Sequence, residues 1–376
     1  MVNLTELFNE AKPQIELEAS FATFRVTSGP WKHRLRILLA MTMVLFCSSR
    51  TLKYLATNFA GEINMNIVMS ALVAVSLNQF PLKTISGFLR RKTFYKCLED
   101  IEKSYQVVDD DEELRKISEK YLVLSLKIRK LVKKGFHYIF VIAITLITLQ
   151  FRLDKSIGLV MDWKFLPSGS TIWNEVPYFL QFLTLLTPAV TYPTADMPAM
   201  FIGFQVMASL DILNDYIKLL NEKIKTDPKY LKTILKRHCN VIDSMNQMNE
   251  AVNEISFIQM IISTLAMLLA FVYIRKEVME LSGYFTGLSG MIQIFPVCVF
   301  GEMIKIKTEK LSTTMYLTDW YELSLKDQKT FLIIQGMSQK QYGVKAAGLY
   351  DVNIYAFIQI VKVSISYCAM LYTLSN

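Results

Sequence analysis

The sequence predicts an all-α, polytopic membrane protein with seven transmembrane helices. Its N-terminus is expected in the cytoplasm and its C-terminus outside, with helical cytoplasmic segments forming an anchor domain. Three observations carry this expectation: long runs free of charge, a lopsided distribution of lysine and arginine, and helix-period apolar stripes between the runs. The chain has 376 residues, 52% of them hydrophobic and only 20% charged, below the ~25% of ordinary soluble domains. Its mean hydropathy is +0.29. Scarce Gly (14) and Pro (10) exclude collagenous and low-complexity chains. The apolar content excludes intrinsic disorder.

Five runs contain no Asp, Glu, Lys or Arg: Ile63–Leu82, Gly135–Phe151, Val176–Ala195, Ile255–Ile274 and Leu281–Gly301. At about 1.5 Å per residue, roughly 20 apolar residues cross a hydrocarbon core about 30 Å thick. Two further runs are less clean. Ile37–Ser49 continues past Arg50 and Lys53 to about Phe59, and Val352–Asn376 is interrupted only by Lys362. Seven spans follow.

With seven crossings the connecting segments alternate sides, and basic residues mark the cytoplasmic one. The segments before the first span and around 83–134, 203–253 and 303–347 hold 33 Lys and Arg, against 7 in the opposite set. The net charge of +8 therefore needs no nucleic-acid partner. A G-protein-coupled receptor would start outside. The third span here ends in Phe151-Arg152-Leu153-Asp154, with no DRY-type triplet, and the seventh lacks an NPxxY pattern.

In chain order, residues 1–36 form a cytoplasmic segment without a cleavable signal, since the first apolar run begins at Ile37. The sequon Asn3-Leu4-Thr5 on that side should be unused. Residues 37–202 hold four spans, with the cytoplasmic segment 83–134 between the second and third. There Ser118–Lys134 reads as an amphipathic lead-in to the third span. The loop Arg152–Asn174, with two Trp, is placed to cap the outer membrane face. Residues 203–254 are expected as anchor helices: the fourth helix runs on to Lys225, Thr226-Asp227-Pro228 breaks it, and Asp227 caps the next, with Pro228 at its first position. Residues 255–301 hold the fifth and sixth spans. Residues 302–347 are a second anchor segment in which Asp319 can cap a helix, and residues 348–376 are the seventh span. The stripes on these extensions could form an intrasubunit bundle alone, but on three separate extensions they exceed what one small bundle needs and suit subunit assembly. Cys97 and Cys239 are expected inside the cell and Cys47, Cys298 and Cys368 within spans, so no structural disulfide is expected.

Three dispersed histidines, no metal-ligand spacing and no P-loop, GxSxG or HExxH pattern point away from an enzyme, and no cofactor or metal is expected. Polar residues within apolar runs face protein or water. On the seventh span Val363, Ser366, Met370 and Thr373 recur at spacings of three and four, a face that suits a narrow pore and equally suits interhelix packing. Near the outer ends of the spans lie Thr145 and Leu149 on the third, Tyr178, Gln181, Phe182 and Leu185 on the fourth, and Tyr284 and Leu288 on the sixth. Ala71 and Val75 of the second span complete the candidate ligand set. Such residues are common as interfacial belts, and they also compose an enclosed apolar pocket with a few orienting polar groups.

Several motifs resemble those of the insect odorant receptor family. Tyr316 and Trp320-Tyr321 are similar to its spaced aromatics before the last helix. Met337-Ser338-Gln339-Lys340-Gln341, Ala347-Gly348, Phe357 and the run from Lys362 to Leu371 resemble its terminal signature. Pro177-Tyr178, Asp196 and Gly203 are similar to landmarks of its fourth helix. Tyr342-Gly343 and Ile365 depart from the usual pattern. The resemblance implies a subunit of an odorant-gated, non-selective cation channel, assembled with a shared co-receptor into a heterotetramer whose last helices line the pore. It implies no enzyme activity and a plasma-membrane location. Trp320, Phe331 and Met337 are the candidate subunit-anchor residues. The family's co-receptor carries a long insertion between the fourth and fifth spans. Only Thr226-Asp227-Pro228 stands there in this chain, which therefore resembles a ligand-tuning subunit for small volatile odorants. A homomeric channel of the related gustatory type is the alternative reading, and a G-protein-coupled receptor a more distant one.

Overall fold

A computed structural model describes residues 3–26, 30–59, 65–107, 109, 111–153, 159–163, 171–223, 227, 229–276, 281–340 and 342–375. Within the helices, the side chains of 65, 150, 171–172, 273–276, 281–290, 368, 371–372 and 374–375 are outside that description. Almost everything described is helical: α1 (Leu4–Ala22), α2 (Trp31–Asn58), α3 (Met65–Leu89), α4 (Arg91–Gln106), α5 (Glu112–Leu153), α6 (Thr171–Lys218), α7 (Leu220–Lys223), α8 (Tyr230–Lys276), α9 (Leu281–Tyr316), α10 (Leu325–Ser338) and α11 (Ile354–Ser375). A two-stranded antiparallel hairpin, β1 (Lys345–Ala346) and β2 (Tyr350–Asp351), precedes α11.

Each of the seven expected spans lies on its own helix: α2, α3, α5, α6, α8, α9 and α11. By length and apolarity of described residues alone, five qualify as crossings: Trp31–Asn58, Asn66–Leu89, Glu112–Leu153, Trp173–Lys218 and Tyr230–Val272. The apolar helix Ile354–Tyr367 is shorter. Much of the sixth run, on α9, lies outside the described side chains.

Three helices far exceed a bilayer. α5 has 42 residues, α6 48 and α8 47, so at about 1.5 Å per residue each is over 60 Å long against a ~30 Å hydrocarbon core. Their basic ends continue as a helical bundle with α1, α4 and the end of α9, and this bundle holds the largest apolar core. α5 starts at Glu112, ahead of the expected lead-in at Ser118, and runs unbroken to Leu153.

Residues 1–36 were expected only as a cytoplasmic segment, and the structure finds a helix in them. Asn3 caps α1 by accepting from the Glu6 amide at 3.3 Å. Phe8, Ile15, Ala19 and Ala22 bury against the bundle. Glu18 is buried with them between Arg129 (2.6 Å) and Lys133 (2.7 Å) of α5. Nearby, Gln205 Nε2 of α6 donates to the Tyr105 hydroxyl (2.7 Å), which lies 3.1 Å from Ser125 Oγ. Burial pushes the Tyr105 phenol up to about 12. Tyr216 donates to Asp109 (2.7 Å), which also accepts from Arg237 (2.6 Å).

Two helix boundaries differ from expectation. α6 ends at Lys218 and α7 occupies Leu220–Lys223, so the expected continuous run to Lys225 is broken earlier. Residues 224–226 and Pro228 lie outside the described set, while Asp227 Oδ1 accepts from the Lys229 amide (2.9 Å) just ahead of α8. Asp319 precedes a single 3₁₀ turn, Trp320–Glu322, without capping it through its side chain. Ser324 is the cap of α10, accepting from the Asp327 amide at 3.2 Å, because the chain must first turn after Tyr316.

The hairpin is fixed to α8. Asn249 donates to the Gly343 carbonyl (2.9 Å) and accepts from the Lys345 amide (3.1 Å). Asn253 Oδ1 accepts from the Gly348 amide (2.6 Å). Ala347 and Gly348 both take positive φ (53° and 68°), as a tight hairpin turn requires. α11 therefore enters the bundle from a turn held by α8.

Candidate ligand cavity

At the end of the bundle away from α1, the described part of the 152–174 loop tucks inward. Val160, Met161 and Trp163 are buried against Cys47, Val68, Val73, Leu77 and Leu185. The anchor is polar: Arg50 Nε donates to the Asp162 carbonyl (2.8 Å) and Lys53 pairs with its carboxylate (2.9 Å). Gln181 accepts from the Val160 amide at 3.1 Å. The two basic residues that interrupt the first span thus hold a plug in place. Burying the Asp162 carboxylate without a cation would be costly.

Beneath the plug lie two cavities. The upper, about 110 Å³, sits between α3, α5, α6 and α9. α3 supplies Met69, Leu72, Val73, Ser76 and Leu77, a stripe at helical spacing. α5 supplies Ile139, Phe140, Ala143, Ile144 and Ile147, again one face. α6 adds Leu185, Pro188, Ala189 and Tyr192, and α9 adds Ile292 and Gln293. Tyr192 stacks on Phe80 with centroids 5.9 Å apart and donates to the Ser76 carbonyl at 2.8 Å. Its phenol is thereby committed to α3, and its ring serves as wall. Pro188 and Pro193 within α6 each remove a backbone donor, which weakens the helix where it borders the cavity.

The lower cavity, about 80 Å³, shares the walls Phe140, Tyr192, Ile292 and Gln293 and continues toward α8. It is more polar. Gln79 and Gln259 line it, as do Lys83 and Asp196, which pair at 2.8 and 3.0 Å. Among the described residues no cluster of His, Cys, Asp or Glu suits a metal ion.

Of the expected ligand residues, Leu185 lines the upper cavity. Ala71, Val75 and Phe182 are half-buried and outside its walls. Gln181 is buried and occupied by the plug. The Arg152 guanidinium covers the Tyr178 ring at 5.4 Å and donates to Glu175 (2.7 Å). Thr145 and Leu149 lie on the exposed side of α5, where Thr145 Oγ1 donates to the Val141 carbonyl (2.8 Å). The side chains of Tyr284 and Leu288 lie outside the described residues. Next to Gln181 and Leu185 the space is taken by the described part of the 152–174 loop. The α5 stripe Phe140, Ala143, Ile144 and Ile147 carried a helical period that could have located the upper cavity.

On α11, Val363, Ser366, Met370 and Thr373 are all exposed on this single chain, and the Thr373 hydroxyl donates to the Met370 carbonyl (2.8 Å). Trp320 stacks on the fully buried Phe331 at 6.3 Å, and Met337 packs against the same core. These three residues hold α10 within the subunit. Tyr321, Leu325, Leu332 and Ile333 beside them are exposed.

Known proteins are similar to this chain in sequence and in shape. The family described as 7tm odorant receptor matches residues 60–365. "Putative odorant receptor 83c" of Drosophila melanogaster is 22% identical over 269 residues, spanning 65% of this chain and 67% of that one. Odorant receptor 85b of the same organism is 21% identical over 212 residues, 54% of this chain and 53% of that one. The solved structure of the insect olfactory receptor OR5 from Machilis hrabei in complex with eugenol superposes with a TM-score of 0.74 at 14% identity, covering 99% of this chain and 100% of the other.

Proposed function

The chain belongs to the insect odorant receptor family, and from that premise we propose that it is the odorant-binding subunit of a heteromeric, odorant-gated, non-selective cation channel. Its partner is the family's shared co-receptor in a heterotetramer. Its setting is the plasma membrane, in the dendrites of olfactory sensory neurons. The basic segments and the α1 end face the cytoplasm, and the C-terminus lies outside. The exposed face Val363, Ser366, Met370 and Thr373 borders the shared pore, and the outer surface of α10 meets neighbouring subunits.

The observation that carries this reading is the plugged apolar cavity between α3, α5, α6 and α9. A small volatile burying about 200 Å² gains about 5 kcal/mol at ~25 cal/mol per Å², a sub-millimolar affinity. The relative of like fold, in complex with eugenol, supports small, mostly apolar ligands. α9 lines the cavity and also packs on α11, so a ligand that favours one packing of α9 biases the last helix.

Current recording from cells expressing the chain with and without co-receptor, over a panel of aliphatic and aromatic volatiles, tests the proposal. Odorant-evoked cation current only in the co-expressing cells is expected. Ala143→Trp, which fills the upper cavity, should abolish it at unchanged surface delivery. Full current from the chain alone would favour the homomeric reading, and unchanged responses in the Trp variant would remove the cavity from the mechanism.

A further inference from the structure

The lower cavity has a polar corner whose hydrogen-bonding sense is determined. Gln259 Nε2 donates to Ser263 Oγ (2.7 Å) and to the backbone carbonyl of Gln293 (3.2 Å). A carbonyl oxygen can only accept, so the Gln259 amide has one orientation: nitrogen toward α9, Oε1 toward α3. Gln79 must therefore present its own nitrogen to that Oε1, as it does. Its remaining oxygen is left over. Gln79 is 4% exposed and lines the cavity, and its Oε1 has no partner among the described residues.

A second buried acceptor is also without a partner. Gln293 lines both cavities, and its Oε1 is likewise buried without a partner. The Lys83 ammonium, which also lines the cavity, is paired with both oxygens of Asp196 and bonds to neither glutamine oxygen. The corner thus holds two buried acceptors without a donor, Gln79 Oε1 and Gln293 Oε1. A buried acceptor without a partner is costly, and whatever fills the cavity is selected by its ability to relieve that cost.

We propose that Gln79 and Gln293 form a hydroxyl-reading corner, which selects small apolar volatiles carrying one hydrogen-bond donor, namely alcohols and phenols. Ethers of the same size, whose oxygens only accept, are disfavoured. The inference rests on the cavity being the odorant site and adds to it the chemical class of the ligand. Gln79 and Gln293 act here as specificity residues. A site that hydrogen-bonds a ligand hydroxyl discriminates against the analogue lacking it more strongly than an apolar wall discriminates by shape.

Two matched pairs test this: 1-hexanol against its isomer 1-methoxypentane, and eugenol against methyleugenol. Thermal protection of the full-length receptor complex is titrated with each, a readout independent of whether the probe opens the channel. In the wild type the alcohol or phenol should protect at roughly tenfold lower concentration than its ether. Gln79→Leu should bring that ratio close to one by weakening the donor ligand, while the ether shifts by less than about twofold. Gln293→Leu, which leaves the backbone carbonyl and the Gln259 orientation intact, should do the same and stands in if Gln79→Leu folds poorly.

Ethers protecting as well as alcohols in the wild type would overturn the inference, showing the acceptors to be met by water alone. So would a preference that survives both variants, or no protection by any of the four probes. If ethers evoke current that Ala143→Trp abolishes, the odorant reading stands and only the hydroxyl preference falls. Absence of any odorant-evoked current with co-receptor would instead remove the functional reading itself.

Discussion

Replacing Gly301 by alanine places a methyl group against backbone. A Cβ built there lies 1.8 Å from the Val352 carbonyl oxygen and 2.9 Å from its carbon. Ordinary contact begins at 3.4 Å, so α9 and the chain entering α11 must separate by about 1.6 Å, the difference of those two distances. Val352 has little room to yield. Its amide donates to the Val344 carbonyl at 2.8 Å, its side chain is 1% exposed, and the hairpin behind it is held by Asn249 and Asn253. Helix propensity favours alanine by about 1 kcal/mol, whereas overpacking a tight contact costs about 1–3 kcal/mol, and a backbone neighbour lies at the upper end. The net is a loss of about 1–2 kcal/mol. Gly336 on α10 supplies the control, since a Cβ there meets nothing within 4 Å. Gly336→Ala should stabilise by about 1 kcal/mol. Thermal melting of the purified full-length protein, followed by its monodisperse fraction, should put Gly301→Ala below and Gly336→Ala above wild type. A Gly301→Ala protein melting at or above wild type would refute the close approach of α9 to the start of α11.

Two further expectations concern the basic end of the bundle. Glu18 is buried between two cations, so Glu18→Ala leaves Arg129, itself 4% exposed, without its carboxylate and should cost about 3–5 kcal/mol. The double variant Glu18→Met with Arg129→Met should melt closer to wild type than the sum of the single losses, and additivity would argue against direct pairing. His238 is 2% exposed with Nδ1 unpartnered, and desolvation lowers its pKa from 6.5 to about 4. Between those values the unfolded state binds the extra proton, so stability rises with pH through that window and is lost as pH falls from about 6.5. The loss is up to about 3 kcal/mol by pH 4. His238→Met should flatten melting temperature between pH 7 and 5 relative to wild type, and an unchanged slope would assign the pH dependence elsewhere.

The helices were legible in the sequence because each crossing is a local property. A run such as Val176–Ala195 has to be apolar throughout, and no distant residue is needed to recognise it. The α1 helix was harder to read. Its buried face Phe8, Ile15, Ala19 and Ala22 is spread among charged residues, and Glu18, which alone would argue for exposure, is buried only because Arg129 and Lys133 arrive from more than a hundred positions away. The candidate site divides the same way. Gln181 reads in sequence as an orienting amide and bonds the loop in the fold, and Leu185, Tyr192, Phe140 and Gln293 become walls only where four helices converge.

By itself, then, the sequence determined the all-helical membrane fold, the helix order, and the family, since hydrophobic length and a short terminal signature are written in consecutive residues. Only the tertiary structure decided where the empty space lies and which polar atoms face it. Arg50 and Lys53, which look like flaws in the first span, are the cations that seat Asp162 and its plug. The direction of the Gln79 amide follows from a carbonyl on another helix. Both depend on partners remote in the chain, and hydrogen bonds and packing in a bundle are satisfied across helices as well as along them.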